Sequence, residues 1–288
     1  MNPHPLPTLG ITLILAAACL TGGCGRPRAE RPVVRQDSFR QDRGVERELR
    51  VDARVSSGRL SLDRSDPGAL YNLDLRWDAA NMSRRVDFTP GDTARLEFSL
   101  QGEMPSDDTA HAILSLAPNV PLDLKVDTGA GEARLDLTGL SVVRLNIVHG
   151  VGSLKVAVDD PQEAACRSMD IACGVGEMDL RGLGNLMPET INIKGGLGRA
   201  SLCFDGSRPG RTRARLVVGI GNLDIELPAG LGVRVLDSGD ASGSLGIPEE
   251  HFERRAGAYV TPAYREARQI VELSLKPGLG NATITIRD

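Results

Sequence analysis

The stretch Asp123-Leu124-Lys125-Val126-Asp127-Thr128-Gly129-Ala130-Gly131-Glu132-Ala133-Arg134-Leu135-Asp136-Leu137 decides how this chain folds. Leu124 and Val126 alternate with polar residues before the glycines, and Leu135 and Leu137 do so after them. Period two places successive side chains on opposite faces of a strand, so each flank is a strand with one wet face. The same sentence returns at 144–158 around Gly150 and Gly152, and at 169–180 around Gly174 and Gly176. It returns again at 191–202 around Gly196 and Gly198, at 214–227 around Gly219 and Gly221, and at 273–286 around Gly278 and Gly280. The first glycines at 129, 150, 174, 196 and 219 are 21, 24, 22 and 23 residues apart. A two-strand unit of that size cannot bury its apolar face alone, whereas stacked units bury a continuous core. The spacing therefore predicts an all-β, single-domain β-solenoid of roughly 22-residue G-x-G repeats. An antiparallel meander or sandwich with G-x-G as a hairpin turn is the alternative. The near-constant repeat length, with the aliphatic phase kept through every copy, favours the solenoid.

In each copy the glycines supply a bend, through positive φ or close backbone approach. The residue between them, Ala130, Val151, Val175, Leu197, Ile220 or Leu279, is expected to plug the corner of the core. Val55 to Leu62 reads as a worn first copy and 233–245 as a degenerate late one. The solenoid domain is assigned to 51–288. Within it, 63–120 is a looser capping part in which Trp77 anchors the core, and 248–269 is an insertion that covers an end or edge of the stack.

The run 120–140, and Tyr259-Val260-Thr261-Pro262-Ala263-Tyr264 just before the last G-x-G, are similar to the toast-rack family of bacterial adhesin-type domains. Such domains also occur in the N-terminal part of some cell-wall-active antibiotic response proteins. The resemblance implies a β-solenoid, an envelope location and a surface or scaffold role. It also implies, as one possibility, a partner protein in a cell-wall stress response. It carries over no catalytic residues.

The N-terminus reads as an address. The apolar run from Leu9 to Leu20 is shorter than the roughly 20 residues needed to span a bilayer and fits the core of a signal peptide. Leu20-Thr21-Gly22-Gly23-Cys24 resembles a lipobox, although no Lys or Arg precedes Arg26. Residues 1–23 are thus expected to be a lipoprotein signal peptide, Cys24 the acylated anchor, and 24–50, rich in Arg, Asp and Glu, a disordered tether. These features place the chain on a membrane surface of the bacterial envelope, periplasmic or extracellular.

Chemistry is thinly signalled. A net charge of −4 argues against a nucleic-acid partner. Gly196-Leu197-Gly198 approaches a dinucleotide fingerprint, yet a second strand follows where a helix would have to meet the phosphates. No cofactor and no catalytic residue are assigned. His111, His149 and His251 lack paired metal-ligand spacing, so no metal site is assigned, and His149 reads as a corner residue. Asp123, Asp136, Asp170 and Asp179 could form rows on neighbouring coils, as in a polysaccharide lyase or hydrolase, and that enzyme is the alternative function. Of Cys166, Cys173 and Cys203, the first two are the candidate disulfide in an exported protein. The primary reading is a non-enzymatic envelope lipoprotein, an adhesin-like or scaffold module, whose partner is an unidentified envelope protein or glycan.

Overall fold

The computed structural model describes residues 32–102, 110–237 and 243–287. The signal sequence and Cys24 lie outside the described residues. Residues 31–288 form one compact unit that contains the whole described core.

Among the described residues, sixteen strands form one sheet. They are β1 (Val34–Asp42), β2 (Glu48–Arg64), β3 (Ala69–Asp78), β4 (Met82–Thr89), β5 (Thr93–Gly102), β6 (His111–Leu116), β7 (Pro121–Asp136) and β8 (Ser141–Ala157). There follow β9 (Ser168–Arg181), β10 (Thr190–Cys203), β11 (Gly210–Pro228), β12 (Gly232–Asp237), β13 (Ser244–Gly246), β14 (Glu253–Arg255), β15 (Ala258–Val260) and β16 (Gln269–Arg287). The central ladder runs β2, β7, β8, β9, β10, β11, β16, and every pair in it is parallel. Only residues 137–140 separate the end of β7 from the start of β8, and Pro121 still pairs with Ser141. Each long strand must therefore bend back on itself, so that it forms two legs of a coil with the core between them. The parallel stack excludes the meander.

Matching residues of successive coils pack in columns. On the first leg Leu124, Leu145, Met169, Ile191, Ala214 and Leu273 are in register, as are Val126, Ile147, Ile171, Ile193, Leu216 and Leu275. On the second leg Leu135, Val156, Leu180, Leu202, Ile225 and Ile284 repeat the arrangement. All of these are buried. Each buried Leu, Ile or Val contributes about 1.5–3 kcal/mol relative to an exposed one, so aliphatic columns hold the stack with few aromatics.

At both ends the spatial order departs from the chain order. Residues 63–120 begin with β3 and β4 and continue into β5 and β6, which pair in parallel with the two legs of β2 on the side away from β7. The antiparallel strands β3 and β4 then cover β6 and β5. At the other end β12 and β13 pair in parallel with the two legs of β16, which comes later in the chain yet sits between them and β11. In the 248–269 insertion, β14 and β15 extend the edge of β12 in antiparallel fashion, with short 3-10 turns at Glu249–His251 and Pro262–Arg265.

The expectations for the tether and for the cysteines need correction. The tether does not extend to residue 50: β1 pairs along its length with β3, and β2 begins at Glu48. Backbone pairing and side-chain contacts with β3 and β4 hold this charged edge strand despite its few apolar residues. The Arg84 guanidinium lies 5.2 Å from the Phe39 ring centre and 5.4 Å from that of Trp77. It also forms an ion pair with Asp37 at 2.5 Å. The expected pairing of Cys166 with Cys173 is absent as well. Cys166, Cys173 and Cys203 are all free and buried. Burial pushes the Cys166 thiol up to about 12 and the Cys203 thiol up to about 11.

Candidate functional site

The bend is where the sequence is least conventional. Gly131, Gly152, Gly176, Gly198, Gly221 and Gly280 all have positive φ, between 125° and 152°. A Cβ on Gly152 would lie 1.9 Å from the carbonyl oxygen of Gly131 in the preceding coil. The first glycine of each pair is crowded too: a Cβ on Gly129 or Gly278 would meet a carbonyl oxygen of the neighbouring coil at 2.1 Å, on Gly150 at 2.3 Å, on Gly174 at 2.4 Å, on Gly196 at 2.2 Å and on Gly219 at 2.6 Å. Both glycine columns therefore let coil backbones approach at the corner.

The residues between the glycines do not plug the core. Val151 is 53 % exposed, Val175 44 %, Leu197 51 %, Ile220 49 % and Leu279 60 %; Ala130 is exposed as well. Parity explains the error. Counting by twos from buried Leu124 and Val126 through Thr128 turns residue 130 inward. Counting back from buried Ala133 and Leu135 turns residue 131 inward instead. The phase slips by one at the bend, and the inward corner position belongs to Thr128, His149, Cys173 and Val218, all buried. His149 Nδ1 lies 2.7 Å from Thr128 Oγ1 of the previous coil, and burial lowers its pKa. The outward residues form an aliphatic ridge, in register from Ala130 through Val151, Val175, Leu197 and Ile220 to Leu279, with a bare glycine track on each side.

Beside the ridge, the wet face of the first leg forms an open groove of about 680 Å³. Val148, Ala172 and Val217 provide an aliphatic floor, Asn146 and Asn192 provide amides, and Lys194, Arg215 and Lys276 provide charge. None of these three cations forms an ion pair with the described residues. Asp170, the acid of this groove, accepts a hydrogen bond from Asn192 Nδ2 at 2.8 Å. The other candidate acids are also engaged. Asp123 pairs with Arg144 and Asp179 with Arg181, both at 2.7 Å, and Asp136 accepts from the Thr138 backbone N–H at 3.0 Å. Among the described residues no three His, Cys, Asp or Glu side chains converge into a metal site, and no helix is long and apolar enough to cross a membrane. The sequence reading did not find this groove, because its cations lie on three different coils. Only the register Lys194, Val217, Lys276 brings them onto one leg.

A stack of parallel coils with paired corner glycines and a continuous aliphatic core defines an all-β repeat module of the solenoid class. Residues 30–181 match the family described as the N-terminal domain of toast_rack, DUF2154, and the chain belongs to that family. It is also similar in structure to a candidate cell adhesion protein from Clostridium sporogenes, at 13 % identity and a TM-score of 0.45, over 88 % of this chain and 100 % of that one. A candidate adhesin from Bacteroides fragilis gives 11 % identity and a TM-score of 0.34, over 88 % of this chain and 97 % of the other. No curated protein matches the sequence.

Proposed function

We propose that this protein is a non-enzymatic, lipid-anchored module of the bacterial envelope, of adhesin type, which holds an acidic glycan along its first leg. The observation that carries this reading is the groove with three cations, Lys194, Arg215 and Lys276, that have no carboxylate partner among the described residues. An aliphatic floor suits the C–H faces of sugar rings, the two amides suit hydroxyl groups, and the cations suit carboxylates on the chain. The rigid stack offers this as an extended binding surface, a use to which solenoids are suited. Cys24, with the small residues before it, supports the anchor.

Two measurements test the proposal. A glycan array probed with the protein is expected to select carboxylated glycans. Arg215→Glu, an exposed charge reversal on the leg, should weaken that binding about tenfold, equivalent to about 1.4 kcal/mol. Selection of neutral glycans, or binding indifferent to Arg215→Glu, would remove the ligand assignment. Incorporation of radiolabelled palmitate should be lost in Cys24→Ala; retained label would remove the anchor from Cys24.

A further inference from the structure

The ridge has no role in the fold or in the glycan groove. Its side chains point out of a convex corner, where a serine or asparagine would serve the bend equally well. Yet every coil from β8 to β16 carries an aliphatic residue there, and five of them in register are 44–60 % exposed. Such a continuous apolar strip is the mark of a contact surface.

Its composition identifies the occupant. From β7 to β16 the ridge reads Ala130, Val151, Val175, then Leu197, Ile220, Leu279: small in the first half, large in the second. The column flanking it on the first leg reads Asp127, Val148, Ala172, Lys194, Val217, Lys276. The column on the second leg reads Glu132, Ser153, Glu177, Arg199, Asn222, Asn281. Consider a second copy placed corner to corner and antiparallel about a two-fold axis between β9 and β10. First leg then faces first leg with the coil order reversed. Ala130 meets Leu279, Val151 meets Ile220 and Val175 meets Leu197, so a small residue opposes a larger one at every level. Asp127 meets Lys276 and Glu177 meets Arg199, so opposite charges oppose each other on both flanks; Lys276 also lines the glycan groove, so pairing and glycan binding compete for it. The parallel arrangement instead sets Lys194 against Arg199, which repel, and Asp127 against Glu132, whose charge Arg59 and Arg134 already balance. The bare glycine tracks leave room for the partner's ridge to settle beside its own.

We infer that the corner ridge is a self-complementary, antiparallel pairing surface for a second copy of this chain. Two-fold isologous contacts require this kind of self-complementarity. Six ridge positions span about 24 Å at the strand spacing of about 4.8 Å. A strip of that length and one side chain wide falls short of the roughly 1,200 Å² of a stable interface, so the pair is weak and forms at high local concentration.

The test uses residues 31–288, the unit that contains the whole core. Val175→Cys and Leu197→Cys are made separately, mixed and oxidised. The mixed disulfide should greatly exceed either symmetric one, since the native thiols are buried. Preferential Leu197→Cys homodimers would indicate the parallel pair and overturn the assignment, as would a species that stays monomeric at every concentration in sedimentation. A charge exchange supplies an independent check. Asp127→Lys should weaken self-association about tenfold, and adding Lys276→Asp should restore it. The two sites lie at opposite ends of the ridge, so restoration cannot arise within one chain; failure to restore would likewise overturn the pairing.

Discussion

At the scale of the residue, two glycines nineteen positions apart make opposite demands. Gly176 has φ of 135°, and a Cβ there would lie 1.9 Å from the Gly152 carbonyl oxygen. Gly195 sits on the inner side of the same corner, where a Cβ would meet its nearest neighbour, Val218 Cγ2, at an ordinary 3.5 Å. Backbone strain costs about 1–3 kcal/mol and the steric conflict adds to it, so Gly176→Ala should destabilise by about 4 kcal/mol or more. Gly195→Ala should lie within about 1 kcal/mol of wild type, because it loses unfolded-state freedom and gains contact. Urea unfolding of the two variants checks this. Equal losses would mean that close coil approach is not what the second glycine provides.

At the scale of the element, the N-terminal edge depends on Arg84. Its guanidinium lies against the rings of Phe39 and Trp77 and pairs with Asp37, which fastens β1 to the strands beneath. Cation–π contacts are worth about 0.5–2 kcal/mol each, against little apolar burial in β1 itself. Arg84→Ala is therefore expected to speed amide exchange in residues 34–42 while β7 to β11 keep their protection. Uniform loss of protection across the sheet would contradict a local role. β1 also marks how far the sequence could be read. The coils were legible because each carries its own alternation, and a column such as Leu145, Met169, Ile191 simply sums those patterns. β1 was not, because a charged edge strand owes its order to contacts more than thirty residues away, as from Arg40 to Asn72 and from Asp37 to Arg84. The outward turn of Val151 and Leu197 was hidden for a different reason. The two legs have opposite parity, and only the backbone at the bend decides where the count slips. The groove cations could not be grouped until the register between coils was known.

At the scale of the whole molecule, the coil order sets what can be removed. β16 lies between β11 and β12, so its loss deprives both of their neighbour. A chain ending at Arg268 should expose the edges of Leu216 and Ile225 and leave 232–260 unable to dock, since nothing supplies the missing coil. Limited proteolysis should show that segment cut rapidly, with aggregation at the bared β11 edge. Preserved resistance of 232–260 would mean that β12 can pair directly with β11.

The same threading gives assembly a direction. Synthesis delivers the 19-residue β16 after both of the strands it must fit between. Until those residues leave the ribosome, the β11 edge stays open and β12 has no coil to dock on. The nascent protein thus carries an adhesive liability from the completion of β11 until β16 emerges, and a chaperone that shields open edges would have its substrate here in that interval.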